Sequence, residues 1–162
     1  IDTIEDDELR TDIIEAWDRT LSETDISLEE FPWSLKVQSE LGLDDLYLVD
    51  HINDVAEISV RNAQYIAKRM NLDVTLDVVM AGALVHDISK PYEFTEGKDR
   101  VNEFLGHPYY GIYISERAGF PIEVTHIVLS HTDQTPIEPK TLEAKIVSKS
   151  DALAADALRN QG

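Results

Sequence analysis

His86 and Asp87 stand side by side at the end of the apolar run Val78-Val79-Met80-Ala81-Gly82-Ala83-Leu84-Val85. His51 precedes them, His107 and His131 follow, and Asp151 lies near the C-terminus. The order H…HD…H…H…D offers six imidazole and carboxylate side chains. Such mixed sets suit iron, manganese, zinc, cobalt or nickel. A carboxylate has two oxygens and can bridge two ions, so six ligands of this kind suffice for a dinuclear centre.

Each residue alone has an ordinary reading. An HD pair is nearly expected by chance in so acidic a chain. A lone histidine on a half-apolar helix is more often a satisfied core residue than a ligand. Asp151 fits a solvated helix position. The joint order and the placement at helix ends weigh toward a metal site. So does burial: Asp87 closes the most apolar segment of the chain, where an unpaired carboxylate would be costly and a neighbouring cation would remove the cost.

Three further residues bear on the site. Lys90 follows Asp87 by three positions, a spacing that brings it to the same side of a helix. There it would anchor a phosphate or carboxylate, or simply stabilise a helix C-terminus. Pro91 is expected to stop the helix and fix the direction of Lys90. His126 and His131, about 140° apart on a helix, do not share a face. His131, followed by Thr132, Asp133 and Gln134, is taken as the ligand and His126 as structural. Asp133, or a histidine that is not a ligand, is the candidate general acid.

The elements that must position these residues read as helices. Residues 5–21 place Leu9, Ile13, Ile14, Trp17 and Leu21 on one face. Pro32 breaks a helix near Phe31, and Gly42 marks a turn. A helix over 44–70 carries Val55, Ile58, Asn62, Ala63, Ile66 and Met70. Thr75 is a candidate cap for a helix over 75–88, apolar nearly all round and therefore buried centrally. Residues 89–106, with Pro91, Gly97 and Gly106, read as a loop. A helix over 107–118 ends at Gly119 before Pro121. A short helix over 122–131, a loop with Pro136 and Pro139, and a last helix from Thr141 through Ala157 complete the chain. No alternating strand pattern stands out. The expected fold is all-α, a compact single-domain bundle of six or more helices.

Composition narrows the partners. With 32 acidic against 14 basic residues the formal net charge is −18, and no Lys/Arg cluster exists to track a phosphate backbone. A nucleic acid polymer is therefore not expected. A small anionic substrate is compatible, because bound divalent ions reverse the local sign. The 162 residues include no cysteine, which excludes disulfides and thiolate metal sites. No apolar run spans a bilayer and the N-terminus is acidic, so no membrane partner and a cytoplasmic location are expected. The start at Ile1 hints at a trimmed chain.

The stretches Val49-Asp50-His51, Leu84-Val85-His86-Asp87-Ile88-Ser89-Lys90, Gly106-His107-Pro108-Tyr109-Tyr110-Gly111, Ile127-Val128-Leu129-Ser130-His131-Thr132 and Leu142 through Asp151 together resemble the HD-domain superfamily of metal-dependent phosphohydrolases. The likeness covers about residues 48–158. Ser89 replaces the glycine of the common HD-I-G-K motif. The resemblance implies an α-helical HD domain over 43–162, with residues 1–42 as a helical extension that packs on the core or serves a lid or homodimer contact. It implies His51, His86, Asp87 and Asp151 as ligands of one metal, with Asp87 as the bridge and His107 and His131 completing a second. Lys90 is implied as the substrate anchor. The expected activity is hydrolysis of a small phosphorylated substrate, with a nucleotide as one candidate, by metal-activated water, with Asp87, Lys90 and Asp133 as catalytic residues. Two alternatives stay open. Some six-ligand members are similar to inositol oxygenase and use a mixed-valence di-iron pair. A non-catalytic metal- or nucleotide-binding module is the other.

Overall fold

The computed structural model describes residues 3–34, 46–93, 95 and 103–160. Among them are seven helices: α1 (Asp7–Thr24), α2 (Leu48–Met70), α3 (Leu76–Val85), α4 (Lys90–Glu93), α5 (Gly106–Ala118), α6 (Ile122–Ser130) and α7 (Leu142–Arg159). The fold is all-α. Extended pairing among the described residues is limited to an isolated bridge, Pro32 with Tyr47. No described helix is long and apolar enough to cross a membrane.

The helix ends follow local chemistry. The Asp6 carboxylate accepts hydrogen bonds from the Glu8 and Leu9 amides and starts α1. Thr141 accepts from the Ala144 amide and starts α7. Asp25, Asn71 and Gly119 each close a helix in the left-handed region. Thr75 occupies the cap position of α3, but its side chain makes no capping bond. Its amide donates instead to Glu143 at the start of α7.

α3 is the centre of the bundle, packed against α1, α2, α6 and α7. Val79, Ala81, Gly82, Ala83 and Val85 are all buried, and each fully buried valine contributes about 1.5–3 kcal/mol of transfer free energy. Gly82 allows the closest approach. A Cβ there would lie 2.4 Å from Ile127 Cδ1 on α6, so any larger residue would push α6 away. α1 packs on α3, α4 and α5, and the Trp17 indole donates to the Leu84 carbonyl at 3.0 Å.

Several sequence expectations are corrected. Met70 and Asn62 are exposed, and the buried face of α2 runs through His51, Ile52, Val55, Ala56, Ser59 and Ala63. α2 begins at Leu48, because the Pro32–Tyr47 bridge and the hydrogen bonds from Trp33 to Leu46 and from Leu48 to Phe31 hold the residues just before it extended. On α1, Ile14 is exposed while Ala16, Thr20 and Thr24 face inward. Pro91 does not stop a helix: α3 has already ended at Val85, and Pro91 lies in the first turn of α4, where its missing N–H costs nothing. The loop expected over 89–106 therefore contains α4. The turn expected at Gly42 and the glycine at 97 lie outside the described residues.

Candidate metal centre

Five elements deliver the predicted ligands to one place. His51 lies in the first turn of α2, and His86 and Asp87 in the turn that follows α3. His107 is the second residue of α5, His131 directly follows α6, and Asp151 lies within α7. His86 and Asp87 can face one site because the helix ends at Val85. In a continuing helix their side chains would point about 100° apart.

Asp87 is the hub. Its Oδ2 lies 3.2 Å from His86 Nε2 and 3.7 Å from His51 Nε2. Its Oδ1 lies 3.4 Å from His107 Nε2 and 3.5 Å from His131 Nε2. The two oxygens thus face two different histidine pairs. Each set, His51–His86–Asp87 and Asp87–His107–His131, gathers its potential ligand atoms within 4.8 Å of one another, and all five residues are buried. Asp151 joins the first set, with Oδ1 3.0 Å from His51 Nε2 and 3.9 Å from His86 Nε2.

The donor set fits divalent metal. His86 Nδ1 lies 2.7 Å from the Ala83 carbonyl, and His131 Nδ1 lies 2.8 Å from the Val128 carbonyl. A carbonyl only accepts, so these contacts place a proton on Nδ1 and leave an Nε2 lone pair facing Asp87 in the neutral ring. His51 Nδ1 and Nε2, His86 Nε2 and Asp87 Oδ1 are buried and make no well-aligned hydrogen bond. Unmatched buried lone pairs are costly, and a cation between them would satisfy them. His107 and His131 also bring their Nε2 atoms to 3.3 Å of each other.

The electrostatics concentrate on the same carboxylate. Burial opposes ionisation of Asp87, but the Lys90 ammonium, His86 and the His131 contact outweigh it and hold its pKa well below the usual carboxylate range. Lys90 Nζ lies 2.7 Å from Asp87 Oδ2. Burial pushes the pKa of His51 and of His131 down, which favours the neutral, ligand-competent imidazole. Burial also disfavours the charged form of His86, yet Asp87 and Asp151 overcome it and raise that pKa.

Two expected residues lie apart from the cluster. His126 accepts a hydrogen bond from the Lys140 amide at 2.9 Å. Asp133 is exposed on the loop after His131, and no described contact joins it to Asp87 or the histidines. Three residues were missed. The Trp33 ring packs 4.9 Å from the His51 ring. Glu93 Oε1 lies 3.5 Å from His107 Nδ1. Ser89 Oγ donates to the His107 carbonyl at 2.6 Å. The Lys90–Glu93 spacing could have placed Glu93 near the site; nothing in the sequence around Trp33 signals its contact.

The HD domain family matches residues 48–156. The chain belongs to that family. The matched segment holds all six clustered histidine and aspartate residues, and it leaves α1 and Trp33 outside. Among curated relatives, this HD-domain chain is 32% identical over 160 residues to the dihydroneopterin 2',3'-cyclic phosphate phosphodiesterase of Methanocaldococcus jannaschii, covering 91% of this chain and 63% of that protein. It is 32% identical over 123 residues to a tRNA (cytidine(56)-2'-O)-methyltransferase of Thermoplasma volcanium, covering 67% of this chain and 32% of that one. It is 34% identical over 105 residues to ribonuclease Y of Petrotoga mobilis, covering 63% and 18% respectively. The HD-domain chain thus spans less than two thirds of the length of each of these relatives. No solved structure matches it.

Proposed function

We propose that this HD-domain chain is a metal-dependent phosphohydrolase that cleaves a small phosphodiester at a dinuclear centre bridged by Asp87. The observation that carries this reading is the split of Asp87, one oxygen toward His51 and His86 and the other toward His107 and His131. In this reading His51, His86, Asp87 and Asp151 would hold one divalent ion, and Asp87, His107 and His131 would hold the other. Bound ions would lower the pKa of a coordinated water toward about 7 and polarise the phosphoryl oxygens.

The chain's own residues then do four things. The buried imidazoles of His51 and His131, their pKa depressed by burial, stay neutral near pH 7 and keep their lone pairs available. The backbone carbonyls of Ala83 and Val128 fix the ring orientations of His86 and His131. Lys90, whose side chain keeps partial exposure beside Asp87, offers N–H donors to a phosphoryl oxygen that gains charge as water adds. Asp133, exposed on the loop after His131 and outside the described contacts of the cluster, is the candidate donor of a proton to the departing ester oxygen.

The substrate class is proposed as a nucleotide-sized cyclic phosphate. The support is the relative named for a 2',3'-cyclic phosphate, which aligns over most of this chain. Two other relatives are named for work on RNA, but they align over small parts of their own lengths, and a net charge of −18 repels a polyphosphate. The test is hydrolysis of 2',3'-cyclic phosphates, dihydroneopterin 2',3'-cyclic phosphate among them, with each of Mn2+, Fe2+, Co2+, Ni2+ and Zn2+. Opening of the ring to a monoester, abolished by a chelator and by Asp87→Asn, is expected. No turnover with any metal by protein shown to bind it would overturn the proposal.

Residues 1–42 are proposed as an extension that packs on the HD core of residues 43–162. The packing of α1 on α3, α4 and α5 supports this. A homodimer has no support in the described contacts.

A further inference from the structure

We propose that Trp33 is a positioning residue of the metal centre, holding the His51 imidazole and the Lys90 ammonium in place from outside the matched HD segment. The inference rests on the reading of His51 as a metal ligand.

The observation is an asymmetry among the histidines. His86 and His131 are each oriented by an Nδ1–H donated to a carbonyl three residues earlier, and His107 has Glu93 and a hydroxyl on its own carbonyl. His51 Nδ1 has no hydrogen-bond partner, and its Nε2 faces the Asp151 carboxylate at 3.0 Å. What restrains the rest of its ring is packing: Trp33 on one side, centroids 4.9 Å apart and planes tilted 33°, and the edge of His86 at 5.5 Å. A ligand without a hydrogen-bonded outer partner owes its aim to its neighbours' shape.

Trp33 is itself tightly placed. Its amide donates to the Leu46 carbonyl at 2.9 Å, and the Leu48 amide donates to the Phe31 carbonyl at 2.8 Å. This clip ties the Phe31–Trp33 segment to the start of α2, one turn before His51. Trp33 belongs to a buried apolar cluster with Phe31, Leu48, Ile52 and Ala155. Lys90 Nζ lies 5.8 Å from the indole centroid, within reach of the negative ring face. One ring thus touches a ligand of the first metal and the proposed phosphate anchor.

The indole N–H is buried and has no hydrogen-bond partner. Nothing polar therefore demands tryptophan, and the contribution comes from the flat aromatic face. Phenylalanine keeps a face and removes an unmatched donor, a change that costs little. Leucine keeps the apolar character and loses the face.

The test is Mn2+ binding, followed by the electron paramagnetic resonance of the free ion, for the wild type, Trp33→Phe and Trp33→Leu. Trp33→Phe is expected within about threefold of wild-type affinity, and Trp33→Leu to weaken one site by roughly 10–100-fold, as loss of an outer partner does, while the other site is unchanged. Circular dichroism of the metal-free variants checks the fold, and Trp33→Met replaces the leucine variant if that one does not fold. A second readout uses the native residue. In protein labelled with 5-fluorotryptophan, the fluorine resonance that Trp33→Phe removes is expected to shift as Zn2+ is added. Wild-type affinity in a folded Trp33→Leu, or an unmoved fluorine signal, overturns the role of Trp33 alone. Absence of Mn2+ uptake by the wild type overturns the metal reading with it.

Discussion

Replacing Asp87 by asparagine tests the bridge with almost no change in shape. In the metal-free chain the carboxylate is 2% exposed and its strongest partner is Lys90 Nζ at 2.7 Å. Asparagine leaves that ammonium facing a neutral amide. Breaking a wholly buried pair costs about 3–5 kcal/mol, but the Lys90 side chain is 17% exposed, and water at the ammonium reduces the cost to about 1–3 kcal/mol. At about 2–4 °C per kcal/mol for a chain of this size, the midpoint in chelator should fall by roughly 2–12 °C. With metal at about 100 times its Kd, the wild type gains about 2.7 kcal/mol or more. That is a rise of roughly 5–11 °C. Asparagine offers one neutral oxygen in place of two charged ones, so the variant should gain almost nothing. Thermal unfolding of both proteins, each with Mn2+ and with chelator, reads the two effects separately. An Asp87→Asn variant that keeps the wild-type metal increment would refute the bridging role.

Other predictions follow from the same geometry. His131→Ala should lose one metal per chain, whereas His126→Ala, which loses only the Lys140 amide contact, should keep the wild-type content; elemental analysis separates them. Gly111→Ala would place a Cβ 2.5 Å from Val128 Cγ1, an overpacking worth about 1–3 kcal/mol. Because the Val128 carbonyl orients His131, that variant should show a lower midpoint and a weakened second site by calorimetry. In metal-free protein, burial lowers the pKa of His51 and His131 below 6.5. The unfolded chain therefore takes up those protons first, and stability falls as pH drops through 6.5 toward the folded values. For His86 burial is outweighed by Asp87 and Asp151, and its pKa is raised above 6.5. Its contribution is complete below 6.5 and is lost as pH rises through the folded value. The joint contribution of the three should peak near pH 6.5 in chemical denaturation against pH, and Mn2+ uptake at pH 7 should release a proton, visible in calorimetry across buffers.

The parts of the site that lay in ordered, periodic sequence were legible. The HD pair closing an apolar run showed both the central helix and the end at which two adjacent side chains could converge. His131 was separable from His126 by helical angle, and the structure places only His131 at the cluster. The face of α2 was misread because period alone does not say which of two overlapping stripes meets α3; Met70 and Asn62 lost to His51 and Ser59. Pro91 reads as a stop when the helix is expected to run to residue 88, three residues beyond its end at Val85. Trp33 was invisible for a different reason. Its contacts with His51 and Lys90 span 18 and 57 positions by residue number, and they depend on an extended clip with no periodicity to announce it. Glu93 was hidden in a segment taken as a charged loop, where only the turn of α4 brings it to His107.

The most direct measurement is metal content per chain by elemental analysis, on protein purified without affinity metal or chelator, for the wild type, His107→Ala and His131→Ala. The account predicts about two divalent ions in the wild type and about one in each variant. One ion in all three proteins would contradict the bridged centre and remove His107 and His131 from it. No ion, with no uptake on titration, would contradict the account altogether.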